Sequence, residues 1–287
     1  MATSTRPAYD PNATYDVTVE TVEYRNDGSR SWLASIYRPQ GSGPFPVLLS
    51  IHGGAWRNND RLQNEPQDRY FAGSGLVVAA IDFRSSEDAP YPGSMADINY
   101  ATRWLKQQAS SFGGCAEALG GIGYSSGGHL VMLSAMRPRH PLYTSISLDG
   151  DGSVDAALDY VIMAWPVIDP FSRYEFAATI NRPELRENGL LYFQDEATMQ
   201  EANPQRMLER GESVELPPAL LLQGAADMQL TPGMAEKFVS AYGKAGGVIE
   251  FGLFPGEPHG FAREAGNNTD RALALAKSFI ARQLRLG

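Results

Sequence analysis

Short apolar runs alternate with longer segments of helical periodicity along most of the chain. Continuous apolar runs such as those at 45–54 and 75–83 are typical of parallel strands that are covered on both faces. This alternation predicts an α/β fold with about eight strands in a mostly parallel sheet and helices on both faces. The predicted strands lie at 17–24, 31–39, 45–54, 75–83, 119–124, 159–165, 218–227 and 247–256. The first strand largely alternates between apolar and polar residues, which favours an antiparallel pairing with the second.

Helical spacing predicts helices at 94–112, 125–136, 231–247 and 268–286. Ser94 and Asp97 have the spacing of a capping box at the start of the first of these helices. Pro232 is expected in the first turn of the helix at 231–247, where its missing N–H costs nothing.

Residues 171–216 interrupt the alternation, because they are long, helical in character and rich in aromatic residues and methionine. We interpret them as a small helical cap inserted over the carboxyl ends of the strands, where open α/β sheets bind ligands. An ordinary pair of helices covering the sheet is the alternative. With this insertion, residues 1–287 are predicted to form one domain.

Charge and composition narrow the function classes. The net charge is −9 and the Lys and Arg residues are scattered, so a nucleic-acid partner is not expected. One cysteine, Cys115, precludes an intrachain disulfide and favours a cytoplasmic location. The polar N-terminus predicts no signal peptide, and no apolar run predicts a membrane helix. Metal-binding, P-loop and dinucleotide motifs are missing, so no cofactor is expected.

The segment GYSSG, residues 123–127, has the pattern G-x-S-x-G between a predicted strand and a predicted helix. In this context Ser125 is expected on a sharp, strained turn that holds its hydroxyl outward as a nucleophile. Glycines two residues to either side remove Cβ atoms that would clash there. Ser126 is expected to act through its backbone N–H, so its side chain should tolerate alanine.

The segment HGGAW, residues 52–56, follows another predicted strand. A loop at this place supplies further oxyanion donors in folds with a G-x-S-x-G turn, and we assign them to the amides of Gly54 and Ala55. A glycine turn without catalytic role is the alternative. His52 is expected to orient the loop through a hydrogen bond.

Four histidines could serve as the general base. His259 lies in the loop directly after the last predicted strand, which matches the chain order Ser, acid, His. His129 lies one turn into the helix after Ser125 and is interpreted as structural. His140 lies between two prolines in a surface-like connection.

Asp227, four residues beyond the polar end of its strand, is the predicted acid that orients the histidine. Asp169 and Glu257 are competitors: the first comes one strand early and the second lies two residues before the histidine.

Four aromatic residues border these loops and could line a substrate pocket, although core packing is an equal alternative: Trp56, Tyr124, Trp165 and Phe261. Arg57 could bind a substrate carboxylate, but a salt bridge to Asp60 or Glu65 is favoured.

Four motifs resemble the α/β-hydrolase superfamily, and within it the hormone-sensitive-lipase-like, feruloyl-esterase and kynurenine-formamidase-like group. They are HGGAW, DFR followed by PYPGSMAD, GYSSGGHL, and Asp227 with PHGF. The resemblance covers about residues 17–284 and implies a triad of Ser125, Asp227 and His259. It further implies that Asp82 and Arg84 brace the active-site loops. HGGAW and GYSSG depart from the family's HGGG and GDSAG patterns, so the resemblance leaves open whether esters or amides are the preferred substrates.

The leading prediction is therefore a serine carboxylesterase acting on small to medium, aromatic or apolar esters through an acyl-enzyme. The alternatives are an amidase or formamidase with the same mechanism, and a non-catalytic ligand receptor on the same fold. The expected partner is a small-molecule ester, and a homodimer through the last strand and helix is left open.

Overall fold

The computed structural model describes residues 6–150 and 153–285. Within these residues eight strands form one sheet, and each overlaps a predicted strand, although the fifth begins at Gly114 and not at residue 119 as predicted. They are β1 (Val17–Asn26), β2 (Ser31–Pro39), β3 (Phe45–Ile51), β4 (Val77–Ile81), β5 (Gly114–Tyr124), β6 (Val161–Ala164), β7 (Ala219–Gly224) and β8 (Ile249–Phe254).

The strand order is β1-β2-β4-β3-β5-β6-β7-β8. β1 pairs antiparallel with β2, as its alternating pattern predicts, and β2 pairs antiparallel with β4. All other neighbours, from β4 to β8, are parallel. The mostly parallel sheet is thus confirmed, and the carboxyl ends of β3, β5, β7 and β8 meet at one edge.

The α-helices of the described residues are α1 (Glu65–Gly73), α2 (Gly93–Gln108), α3 (Ser126–Met136), α4 (Pro170–Thr179), α5 (Pro183–Phe193), α6 (Glu196–Glu201), α7 (Pro204–Glu209), α8 (Met234–Lys244) and α9 (Asn267–Arg285). Short 3₁₀ segments span Ala109–Phe112 and Phe261–Arg263. α1 was not predicted, because its mostly polar sequence gives a weak apolar pattern. α8 begins after Pro232, with Gly233 at its N-cap, so the predicted place of that proline is wrong.

Apolar side chains bury both faces of the sheet. One cluster combines buried residues of α2, α3 and α8 with one set of strand residues. The other combines α1 and α9 with the alternate strand residues. Because parallel strands buried on both faces need apolar residues at nearly every position, this arrangement explains the continuous apolar runs.

The predicted capping box of α2 is wrong. Pro92 occupies the N-cap, and no side chain caps the helix. The Ser94 hydroxyl instead shares a 2.5 Å hydrogen bond with the Tyr192 hydroxyl. The Asp97 carboxylate is buried and accepts two hydrogen bonds from the Arg84 guanidinium, at 2.8 and 2.9 Å. Tertiary partners have replaced the local backbone as the partners of these side chains.

Four helices, α4 to α7, connect β6 to β7 and account for the helical character of 171–216. We refer to 171–216 as the insertion. Its assignment as a cap, and the assignment of 1–287 to one domain, remain predictions.

A buried carboxyl group lies on α1. Asp68 is fully buried, and neither of its oxygens has a hydrogen-bond partner among the described residues. Burial raises the pKa of the Asp68 carboxyl to about 8. The folded protein therefore holds a protonated Asp68 at neutral pH, whereas an unfolded aspartate ionises near pH 3.9.

We expect Asp68→Asn to change how the free energy of unfolding depends on pH. Because the folded pKa is raised, the wild type should lose stability as pH increases from about 4 to about 8, by on the order of a few kcal/mol. The asparagine variant should lack this loss. Its free energy of unfolding, measured by urea titration, should therefore rise relative to that of the wild type between pH 5 and pH 8. Asp16→Asn, at an exposed position, is the control. Parallel pH profiles for wild type and Asp68→Asn would contradict the expectation.

Candidate active site

The turn between β5 and α3 holds Ser125 in a strained conformation, with φ 55° and ψ −118°. A Cβ atom at Gly123 would lie 2.2 Å from the Gly127 carbonyl oxygen, and one at Gly127 would lie 2.3 Å from that of Ile51. Both glycines are thus required by the close approach of backbone, as the sequence predicts. The strain costs about 1–3 kcal/mol and is typical of functional turns.

The three residues of the predicted triad are joined by hydrogen bonds. Ser125 Oγ lies 2.8 Å from His259 Nε2, and His259 Nδ1 lies 2.7 Å from Asp227 Oδ2. Ser125 follows β5, Asp227 follows β7 and His259 follows β8, so parallel strand ends bring them together. The nucleophile end of this hydrogen-bonded triad is shielded from solvent, since Ser125 is 6% exposed.

Hydrogen bonds hold the Asp227 carboxylate in the ionised form. Gln223 Nε2 donates to Oδ2 at 2.9 Å, and the Gln229 N–H donates to Oδ1 at 2.8 Å. Burial alone would raise the pKa of Asp227, but His259 and these donors lower it below its ordinary value. A carboxylate facing Nδ1 favours the tautomer that carries its proton there, so Nε2 of His259 is free to accept from Ser125.

The competing acids are engaged elsewhere. Asp169 caps α4 by accepting from the Ser172 N–H at 2.9 Å, and it also accepts from Asn203 Nδ2 at 2.8 Å. Glu257 accepts from Asn268 Nδ2 at 2.6 Å. Each carboxylate therefore has a structural partner, whereas Asp227 bonds to the histidine.

The loop after β3 contains three consecutive residues with positive φ: Gly54 (112°), Ala55 (53°) and Trp56 (61°). Its flanking amides are already used. Gly53 N–H donates to Gln63 Oε1 at 2.8 Å, and Trp56 N–H donates to the Ser126 hydroxyl at 3.2 Å. The backbone turn is thus held at both ends, with two amides between.

These two amides, of Gly54 and Ala55, find no acceptor among the residues that the structure describes, and neither does the Ser126 N–H at the start of α3. Three N–H groups without acceptors therefore lie on the loop after β3 and at the start of α3, and their action as oxyanion donors remains a prediction. The Ser126 hydroxyl has a role that the sequence interpretation missed, since it accepts from Trp56. Its replacement by alanine would leave that N–H without its partner.

His129 ties the loop to the insertion. Trp56 Nε1 donates to His129 Nδ1 at 3.2 Å, and His129 Nε2 donates to the Ala202 carbonyl oxygen at 2.8 Å. Burial lowers the pKa of His129 to about 4, so the ring is neutral at pH 7. The structure therefore agrees with a structural role for His129. His52 likewise bonds within its own loop, to the Gly53 carbonyl oxygen at 2.8 Å.

Two further residues brace this region, as the family resemblance implies. Asp82 accepts from the backbone and side chain of Arg61, both at 2.9 Å, and so fixes the loop after β3. Arg84 anchors to α2. The predicted partners of Arg57 are wrong, because it pairs with Glu87 at 2.7 Å.

Comparison with known proteins assigns the chain to a family. A family model named BD-FAE matches residues 34–242. The chain belongs to the BD-FAE family. It is 31% identical over 202 residues to the probable carboxylic ester hydrolase LipM of Mycobacterium tuberculosis, covering 69% of this chain and 45% of LipM. It is 27% identical to esterase LipC of the same organism, covering 76% of this chain and 53% of LipC.

Thermogutta terrifontis esterase 2, in a structure phosphoramylated by tabun, superposes with a TM-score of 0.74 at 25% identity, over 92% of this chain and 94% of that chain. The α/β-hydrolase fold and the predicted family resemblance are therefore confirmed. The chain spans about half the length of the curated relatives named above.

The four aromatic residues proposed for a pocket do not form one group in this BD-FAE chain. Tyr124, Trp165 and Phe261 pack in series, with ring centroids 5.8 and 5.4 Å apart. Trp56 belongs to the core of the other sheet face and stacks on Tyr192 of the insertion at 5.6 Å. All four are buried, so substrate contact by any of them remains a prediction.

Across residues 6–150 and 153–285, no group of three or more His, Cys, Asp or Glu side chains is arranged to bind a metal ion. No helix in the same part of the chain has the length and apolar character needed to span a membrane.

Proposed function

We propose that this protein is a serine carboxylesterase that hydrolyses small-molecule carboxylic esters. The observation that carries the proposal is the unbroken hydrogen-bond chain from Ser125 through His259 to Asp227. The printed names of its relatives, carboxylic ester hydrolase and esterase, support the same activity.

In this mechanism Ser125 Oγ attacks the ester carbonyl carbon while His259 Nε2 takes the hydroxyl proton. Asp227 keeps the imidazole oriented and stabilises its protonated form. The N–H groups of Gly54, Ala55 and Ser126 donate to the oxygen as it becomes negative, aided by the positive end of α3.

Collapse of this intermediate breaks the ester C–O bond. His259 then gives its proton to the leaving alcohol, and the acyl group remains on Ser125. Water, deprotonated by His259, attacks the acyl-enzyme and releases the carboxylic acid. The low exposure of Ser125 keeps competing water away from the developing charge.

A fluorophosphonate probe and aryl substrates test the proposal. We expect the probe to label Ser125, which peptide mass spectrometry would detect. We also expect the protein to hydrolyse p-nitrophenyl butyrate, and labelling to abolish this hydrolysis. A matched aryl formamide, assayed side by side, separates the esterase from the formamidase alternative. Absence of labelling together with absence of ester turnover would support the receptor alternative and refute the proposal.

A further inference from the structure

Arg173, on α4 of the insertion, is a buried cation that forms no salt bridge with any of the described residues. The residue is 3% exposed, and its Nη2 atom is buried with no hydrogen-bond partner among the described residues. Burial lowers the pKa of Arg173 to about 10, which leaves the guanidinium charged at neutral pH. A charge that is removed from water without a partner destabilises the fold.

The other four arginines of the insertion differ from Arg173 in this respect. Each has a side-chain partner, in the pairs Arg182–Glu184, Arg186–Tyr174, Arg206–Glu209 and Arg210–Glu212. Acidic and hydroxyl groups thus pair with the other four arginines, whereas Arg173 has no salt bridge or side-chain hydrogen bond among the described residues.

The position of Arg173 connects it to the candidate active site. Its Cζ atom lies 5.3 Å from the ring centroid of Trp56, the residue that follows the free amides of Gly54 and Ala55. Arg173 also interacts electrostatically with residues of the candidate site. Asp227 stabilises the protonated guanidinium, and the charge of Arg173 disfavours protonation of His129. The cation–π contact with Trp56 offsets only part of the free energy that burial of the guanidinium costs.

We propose that Arg173 binds a carboxylate of the substrate, so that the preferred substrates are esters that carry a free carboxylate group. This inference rests on the proposed esterase function. A guanidinium suits the task because its planar set of N–H donors matches a carboxylate, and burial strengthens the pairing. The chain as a whole, with net charge −9, would otherwise repel such a substrate.

The carboxylate can belong to the acid or to the alcohol part of the ester, and paired substrates distinguish these sources. p-Nitrophenyl hemiglutarate carries it on the acyl side, with p-nitrophenyl methyl glutarate as its neutral match. 4-Acetoxybenzoate carries it on the alcohol side, with 4-acetoxybenzamide as its match. We expect the wild type to prefer one anionic ester over its neutral match by about 10-fold or more in kcat/KM.

Arg173→Met should lower kcat/KM for that anionic ester by about 10- to 100-fold, mainly through KM, and change the neutral match by less than about 3-fold. Arg173→Lys should keep part of the preference for the anionic ester. It therefore tests the role of the charge even if the methionine variant folds poorly. Arg210→Met, at an exposed and paired arginine, is the control. Preference for both neutral esters, or an equal loss on both members of a pair, would overturn the proposal.

Failure of the esterase function is recognised separately. If neither the anionic nor the neutral esters turn over and the fluorophosphonate probe does not label Ser125, the proposed activity has failed. Calorimetric titration with glutarate and with 4-hydroxybenzoate then still tests the anion site. Binding of either compound that is lost in Arg173→Met supports the site, and equal or absent binding in the two proteins refutes it.

Discussion

Replacing Ser125 with alanine is expected to lower kcat for p-nitrophenyl butyrate by roughly a millionfold, because the triad acts as a unit and loses its nucleophile. The fluorophosphonate label should disappear as well. The fold should persist, since the Ser125 hydroxyl bonds only to His259 among the described side chains. Steady-state kinetics and circular dichroism of the purified variant measure both effects.

Ser126→Ala is the matched comparison at the adjacent position. It keeps the backbone N–H but removes the hydroxyl that accepts from Trp56 N–H at 3.2 Å. We expect a loss of about 10-fold in kcat, equivalent to one modest hydrogen bond that positions the loop of Gly54 and Ala55. Turnover that survives in Ser125→Ala, or a larger loss in Ser126→Ala, would refute the assignment of the nucleophile.

Replacing Asp227 with asparagine is expected to lower kcat by roughly ten-thousandfold, with a small effect on KM. The neutral amide cannot stabilise the His259 imidazolium, and it favours the tautomer in which Nε2 carries the proton and cannot accept from Ser125. The kcat of the variant should be measured as a function of pH. A displaced pH profile is then distinguished from a kcat that is reduced at every pH.

Asp169→Asn and Glu257→Gln are the controls for this experiment. Asp169 caps α4 and Glu257 bonds to Asn268, so both variants should retain most of the activity. The N-cap of α4 should persist in Asp169→Asn, because asparagine caps a helix as well as aspartate does. A loss in either control that matches Asp227→Asn would move the acid to that residue.

Local pattern alone was sufficient to predict the sheet and the places of the loops that carry Ser125, Asp227 and His259. Buried parallel strands must be apolar at nearly every position, so the runs around β3, β4, β5 and β7 were recognisable in the chain. The turn at Ser125 was recognisable for a similar reason, because backbone approaches within 2.2–2.3 Å of a would-be Cβ atom admit only glycine at 123 and 127.

Side-chain partners distant along the chain were predicted poorly. The sequence placed Ser94 and Asp97 in a cap and paired Arg57 with near neighbours, whereas their partners are Tyr192, Arg84 and Glu87. A polar side chain bonds to the best donor or acceptor that the fold brings near, and spacing along the chain does not specify which one arrives.

By itself, then, the sequence determined the α/β sheet, the strained serine turn and the chain order of Ser125, Asp227 and His259, since each depends on local backbone requirements. Only the tertiary structure decided that Ser126 and His129 hold the loop through Trp56, and that Arg173 is buried with no salt bridge among the described residues. Those properties arise where the insertion meets the strand ends, because there the contacts join residues more than 40 positions apart.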